Sequence, residues 1–539
     1  MSYDYIIVGG GIAGLNTALK LCDTKNKILL LERNPELGGR LQTFKDKDKG
    51  ILYEEGGARF HKGHKNLFEL IKMFNLEKDI FEIPNATKFI PIKNKFNKIN
   101  DINKKYDINK IIKDLIQIST NHKKEDLLKI NLLEFCEKVY DKDTRKYLSA
   151  AYPYVSELED LNAYEALDTF KNDMSNDFQF YLFKNGFSSL IDEMEKFIKY
   201  NNCTIKTSHT LMDIDMAKDT YSLEVISGKK IVKYTTKNLI LSLDKSALER
   251  IPYLSSLKPD FNKVITRPLL RIYAIYPPDA KTNKVWFDGM GKVVTDLEIK
   301  YIIPIDYKSG LIMISYTDQK DAIFWNSIIN KGPGKLETEL NKQLKRLFPK
   351  KKIPKTKFLK SHYWENGASY WNKNNEAEPN STKMLQPLEN ETLYICGESF
   401  SQRQAWVEGA LETSEEVIKL IHGIKTNKKL HHITKKTKTK KGGGGNKGNK
   451  SNKGNKSNNN SKKLKKFTKA EVAKHNKPND LWIIIDKKVL DVTLWQHSHP
   501  GSPAPLNKLG GKDATKAFHG RGHSDNAKEI MKQYVIGTV

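Results

Sequence analysis

Three glycines spaced for a dinucleotide open this chain. Gly9, Gly11 and Gly14 form a G-x-G-x-x-G run, and Glu32 follows 18 residues after the last of them. Each position answers a chemical need. Gly9 permits a tight turn, Gly11 lets the backbone approach a pyrophosphate, and Gly14 lets a helix pack closely on a strand. The helix N-terminus favours phosphate charge, and Glu32 can accept hydrogen bonds from an adenosine ribose. An acid there disfavours a ribose 2′-phosphate, and so NADP. The motif itself leaves NAD and FAD open.

Such glycines act only when a strand and a helix place them. Residues 3–8 form a near-continuous apolar run, 12–21 a helical pattern and 28–31 a second buried strand. This is the start of a βαβ unit in a parallel sheet. Residues 100–200 carry helical periodicity, as at 115–119 and 190–197. Residues 220–330 alternate as strands do, for example at 269–276 and 311–316. A further apolar strand at 393–396 leads into a helix around 407–421, and no repeat of solenoid length is present.

Four segments carry the continuation: Gly38-Gly39-Arg40, Glu55-Gly56-Gly57-Ala58-Arg59-Phe60, Ile395-Cys396-Gly397-Glu398 and Gln404-Ala405-Trp406-Val407-Glu408-Gly409-Ala410. Together they resemble the flavin-containing amine oxidase family over most of residues 1–424, strongly at both ends and weakly in the middle. The resemblance implies FAD, bound by an α/β Rossmann-type domain with an interleaved α+β substrate domain. The FAD part would be about 1–85, 200–250 and 385–424, and the substrate part about 86–199 and 251–384.

By position, Gly39 and Arg40 would contact the phosphate region, and Gly57, Ala58 and Arg59 would line the flavin. Gly397 and Glu398 would serve the ribityl–phosphate region. The backbone of Val407, at a helix start, would face the flavin pyrimidine edge, where a helix N-terminus stabilises negative charge. Segment 366–370 resembles the one that in some members carries a flavin-bonded cysteine followed by a cage tyrosine. Ser369 stands in the cysteine's place, which implies non-covalent FAD. Tyr370 and Trp406 would form two aromatic walls that orient an amine through their π-electrons. Arg271 falls where the family often has a lysine. An arginine cannot deprotonate and presents a planar fork, a departure that keeps substrates other than amines open.

The last 73 residues carry different chemistry. Asp491-Val492-Thr493, His499-Pro500-Gly501, Gly510-Gly511-Lys512-Asp513-Ala514-Thr515 and Gly522-His523-Ser524, with an apolar run at 482–485, resemble cytochrome b5 across 467–539. The resemblance implies a small α+β domain and a b-type haem with His499 and His523, 24 residues apart, as axial iron ligands. Two imidazoles fill both axial positions, so the implied task is one-electron transfer. His497 and His519 are local competitors outside those settings. Ser502-Pro503-Ala504-Pro505 departs from the family's second glycine and acidic residues, and the prolines would stiffen that loop.

At 539 residues the chain is too long for one core, and 38% hydrophobic content excludes a wholly disordered protein. Its net charge of +28 suggests nucleic acid or an anionic membrane as partner until the charge is located. Residues 425–466 hold 16 Lys and no acid, whereas 1–424 carry +8 and 467–539 carry +4. The Lys/Asn/Gly-rich stretch reads as a disordered linker. As a lysine run it would bind polyanions without sequence preference, but it has no aromatics for base stacking. Four scattered cysteines without a C-x-x-C pair, no membrane-length apolar run and no signal pattern point to the cytoplasm.

The combined expectation is a flavohaem oxidoreductase. It would oxidise an amine-like small molecule at FAD and pass electrons to the tethered haem, to dioxygen or to a redox partner protein. A desaturase or C–C oxidoreductase of the same fold is the alternative. A polyanion-binding protein acting through the linker is the alternative of another class.

Overall fold

Ile6, Ile7, Leu29 and Leu30 are wholly buried, so strands Ser2–Val8 and Ile28–Leu31 lie inside a sheet covered on both faces. They pair in parallel, from Tyr5↔Ile28 to Val8↔Leu31. A parallel sheet buried on both sides needs this kind of unbroken apolar run. The sheet's order is His209–Ala217, Thr220–Ser227, Lys230–Leu241, Ser2–Val8, Ile28–Leu31 and Thr204–Lys206. Leu393–Ile395 joins it parallel to Lys230–Leu241. That late return brings the C-terminal motifs of this unit to the sheet that carries the N-terminal glycines.

The computed structural model describes residues 1–22, 26–93, 106–175, 177–422, 465–477, 480–493, 495–499, 504–521, 523, 531 and 534–539. The basic stretch 425–466 therefore lies outside the described residues, apart from its last two. The chain divides into two compact units, in the main 1–417 and 418–539.

In the first unit a six-stranded sheet accompanies the parallel one. Its order is Phe358–Trp371, Val264–Ile275, Leu311–Asp318, Tyr301–Asp306, Lys292–Thr295 and Thr87–Ile90. The strand expected at 269–276 begins earlier, at Val264, because it pairs along its length with Phe358–Trp371. Helices Ile108–Ser119, Leu132–Val139, Lys142–Ala151 and Ala163–Asn172 supply the expected helical region. One boundary differs. Helix Ser188–Tyr200, expected in the substrate part, packs on helix Ile12–Leu21 beside the dinucleotide sheet. Its stripe Leu190, Ile191, Met194 and Ile198 is buried, and the chain runs on into the sheet strand Thr204–Lys206.

The second unit holds a five-stranded sheet ordered Lys465–Lys466, Val535–Thr538, Lys488–Asp491, Asp480–Ile485 and Asn476–Lys477. Leu481, Ile483, Ile485, Leu490, Val492 and Leu506 form its core. Helix Ala504–Leu509 packs on strands Asn476–Lys477 and Asp480–Ile485, and helix Thr515–Gly520 follows it in the chain. All four cysteines are buried, and among the described residues none forms a disulfide. Among the described residues, no helix is long and apolar enough to cross a membrane.

Candidate functional site

The three motif glycines are required for different reasons. A Cβ on Gly9, whose φ is +109°, would lie 2.1 Å from the Ser242 carbonyl oxygen, and one on Gly14 would lie 2.0 Å from the Gly9 oxygen. Both are needed by the chain itself. Gly11 is not: its φ is −72°, and a Cβ there would meet nothing within 4 Å. The protein therefore gives no internal reason for Gly11, whereas a pyrophosphate against the first turn of helix Ile12–Leu21 does. This open cradle fits a dinucleotide. We expect Gly14→Ala to abolish folding. Gly11→Ala should keep a near-parental melting temperature yet purify with most of its FAD lost, as read by the flavin-to-protein absorbance ratio.

Glu32 is buried, and its carboxylate accepts the Gly10 N–H at 2.7 Å and the Asn34 N–H at 2.8 Å. It fixes the glycine turn while keeping lone pairs for a ribose. Gly38 donates its N–H to the Gly10 carbonyl at 2.8 Å, which sets Gly39 and Arg40 beside the cradle.

Glu398 is the centre of the site. It accepts from Arg40 Nη1 at 2.7 Å, from the Ser369 N–H at 2.8 Å and hydroxyl at 3.1 Å, and from the Ala405 N–H at 2.7 Å. One buried carboxylate thus ties the N-terminal loop to the residues just before Tyr370 and Trp406. Ala405 pays in backbone strain, with φ at +64°. Gly397, at φ +129°, allows the turn that presents Glu398. Val407 begins helix Val407–His422, so its N–H lies in the first turn, where no intrahelical acceptor exists.

Tyr370 and Trp406 are both buried and have no mutual ring contact among the described residues. Tyr370 donates its hydroxyl to Glu157 Oε1 at 3.3 Å. Trp406 packs against Phe180 and His64, with ring centroids at 6.2 and 5.0 Å, and its indole N–H has no hydrogen-bond partner. Gly57 and Ala58 lead to Arg59. The Arg59 guanidinium stands 4.8 Å from the Phe180 ring centre, 5.4 Å from Tyr154 and 5.5 Å from Trp406. Among the described residues it forms no ion pair. Arg271 donates to the Glu54 carbonyl oxygen at 3.1 Å and lies over the Tyr316 ring at 4.5 Å. It is buried against the loop that precedes Gly57.

Sequence reasoning missed a cluster behind Trp406. His61 and His64 both direct Nε2 at Asp173 Oδ1, at 3.5 and 3.3 Å, and all three are buried. The grouping has metal-ligand composition, but the Gly63 N–H donates to His61 Nδ1 at 3.0 Å. That acceptor role places the proton on Nε2, where a metal would need the lone pair. Burial pushes His64 down to about 4. Burial opposes ionisation of Asp173, yet the two imidazoles and Arg403 hold its carboxyl down to about 2. The cluster is a hydrogen-bonded prop for Trp406, legible only as an H-x-x-H spacing.

In the second unit, the rings of His499 and His523 face each other with centroids 6.2 Å apart and planes at 43°. An imidazole nitrogen binds a transition metal at about 2 Å, with the ring centre roughly 1 Å behind it, so two opposed ligands need about this separation. His523 Nδ1 lies 2.7 Å from the Phe518 carbonyl oxygen. Nδ1–H donates to that carbonyl, so Nε2 is the nitrogen that would bind iron. The donor set fits haem. Residues 500–503, 522 and 524 and the His497 side chain lie outside the described residues, and His519 sits in helix Thr515–Gly520.

Comparison with known proteins gives two regions. Residues 12–417 match the family described as flavin containing amine oxidoreductase, and residues 468–539 match the cytochrome b5-like haem/steroid binding domain. Cytochrome b5 of Rhizopus stolonifer is 48% identical over 69 residues, 13% of this chain and 53% of that protein. The chain spans about half the length of the curated relatives it matches. Among solved structures, putrescine oxidase bound to putrescine superposes with a TM-score of 0.62 at 13% identity, covering 78% of this chain and 99% of that one. A putative protoporphyrinogen oxidase from Exiguobacterium gives 0.57 at 14% identity, covering 78% and 98%. At these identities the two structures establish the fold alone. The expected FAD and haem, and the two expected folds, agree with these matches.

Proposed function

The chain belongs to the flavin containing amine oxidoreductase family and carries a cytochrome b5-like domain, and on that premise we propose that it oxidises an amine-like small molecule. When bound, FAD would supply hydride acceptance from the carbon next to nitrogen, and haem b would supply one-electron transfer away from the flavin, with dioxygen as the other acceptor. One observation carries this reading: Glu398 joins Arg40, on the cofactor side, to the backbones leading into Tyr370 and Trp406. The two rings are positioned by the same buried carboxylate that would border the cofactor, as a substrate slot requires. Ser369 spends its hydroxyl on Glu398 and Ser399, which supports FAD held without a covalent bond.

The rest of the chain's contribution is binding and exclusion of water. Tyr370 and Trp406 are buried aromatic rings, and their electron-rich faces would favour a polarised nitrogen. The N-terminus of helix Val407–His422 would stabilise negative charge developing on a flavin bound beside it. Anaerobic mixing of the purified holoprotein with a panel of primary, secondary and polyamines tests this. We expect at least one to bleach the flavin band, and a flavin that stays oxidised with all of them contradicts it.

A second reading is favoured by one observation. Among the described residues the Arg59 guanidinium forms no ion pair, and it stands beside Trp406. An acid-bearing substrate oxidised at a C–C bond would supply that anion. In that case carboxylated hydrocarbons, and not simple amines, would reduce the flavin, and Arg59→Lys would raise KM far more than it lowers kcat.

A further inference from the structure

Glu157 lies on the short helix Ser156–Glu159 and is 4% exposed. Its Oε1 accepts the Tyr370 hydroxyl at 3.3 Å, and its Oε2 is buried with no hydrogen-bond partner. No lysine, arginine or histidine pairs with it among the described residues. A buried carboxyl left this way is costly unless it has work to do or keeps a proton.

Its surroundings explain which. Behind it, Asp318 accepts the Val155 N–H at 2.9 Å and the Ser156 N–H at 2.8 Å. Burial pushes Asp318 up as well, against those donors, and two buried carboxyls so placed discourage a charge on both at once. Tyr370, Tyr152 and Arg59 are the other titratable or charged groups facing it. The helices packed against it commit their acids elsewhere: Glu134 to Lys373, Glu137 to Arg145 and Glu165 to the Ala377 N–H. Burial first, and then Asp318, push Glu157 up to about 8. It therefore holds its proton far more strongly than an ordinary carboxylic acid and, once ionised, is a better base toward an ammonium ion.

Resting on the reading of an amine-like substrate, we propose that Glu157 is the proton acceptor of the substrate site, reached through the Tyr370 hydroxyl. The step is a proton transfer without redox change. The substrate ammonium gives one proton to the Tyr370 oxygen, Tyr370 passes its own proton to Glu157 Oε1, and the amine is left with the lone pair that hydride loss from the adjacent carbon requires. Glu157 goes from carboxylate to acid and Tyr370 is unchanged. Glu157 acts through Tyr370, so it is a positioning and proton-holding residue.

Two measurements test this on the holoprotein. In pH-difference infrared spectra, the parent should show a protonated-carboxyl band that titrates near Glu157's ionisation and is missing from Glu157→Gln. This readout needs no substrate. With an amine that bleaches the flavin, the anaerobic reduction rate of the parent should rise with pH through the same range and then level. Glu157→Gln should be slower by about a hundredfold at the plateau, as loss of a positioned base costs, and the limb should move to the free amine's own ionisation. Tyr370→Phe, which keeps the ring, should lose the same limb and serves if Glu157→Gln does not fold. A parent spectrum without the band, or a limb retained in both variants, overturns the proposal. A flavin reduced by no amine sinks the substrate reading instead, a different and separable failure.

Discussion

Replacing His523 by alanine is expected to remove haem from the purified protein while leaving its flavin content unchanged. The argument starts from the ring's fixed direction. The Phe518 carbonyl oxygen, 2.7 Å from Nδ1, and the Phe518 ring, stacked at 4.2 Å and 12°, fix the imidazole, whose ring centre lies 6.2 Å from that of His499. Loss of a group that merely orients a ligand costs about 10–100-fold in metal affinity, so loss of the ligand itself should cost more than about 100-fold. The absorbance of haem with two axial imidazoles should disappear at ordinary haem concentrations. His519→Ala, on the neighbouring helix, should retain it. Haem retained by His523→Ala but lost by His519→Ala would reverse the assignment of the iron ligands.

Replacing Glu398 by alanine is expected to cost both stability and FAD. The substitution leaves Arg40, the Ser369 N–H and the Ala405 N–H without their shared acceptor. Breaking a buried ion pair by deleting one partner costs about 3–5 kcal/mol, and Arg40 is partly exposed, so the lower end applies. Ala405 would also lose the bond that holds its left-handed backbone. The melting temperature should fall by several degrees and the flavin-to-protein ratio by most of its value. Glu398→Gln keeps an acceptor of the same shape but no charge, so it should fold nearly normally and bind FAD weakly. Parental FAD content in both variants would remove Glu398 from the cofactor site.

These expectations show which parts of the site could be read from sequence. Gly9, Gly11, Gly14 and Glu32 were legible because turn geometry and phosphate approach act over a few neighbouring residues. So was the pairing of His499 with His523, through the motifs around each. The sharing of Glu398 by the backbones of Ser369 and Ala405 was not, since it joins strand Phe358–Trp371 to the turn at 398–405. Glu157 was invisible for a similar reason: Tyr370, which gives it meaning, is 213 residues away. In sequence it is one acid in the run Ser156-Glu157-Leu158-Glu159-Asp160. Arg59 stood in a recognisable motif, but the three rings around its guanidinium come from other elements. That helix Ser188–Tyr200 packs on helix Ile12–Leu21 was not legible either, because its amphipathic stripe announces burial without naming the partner surface.

The opening motif proposes a dinucleotide and the last motif a haem, and the family membership makes the dinucleotide FAD. The central claim is that one chain couples substrate oxidation at the first to electron transfer at the second. A single anaerobic absorbance record of the full-length holoprotein after addition of a reducing amine tests it most directly. The account predicts loss of the oxidised flavin band followed by the shift of the haem bands to the ferrous form, with the second change absent in His523→Ala. A flavin that is reduced while the haem of the parent stays ferric would contradict the coupling.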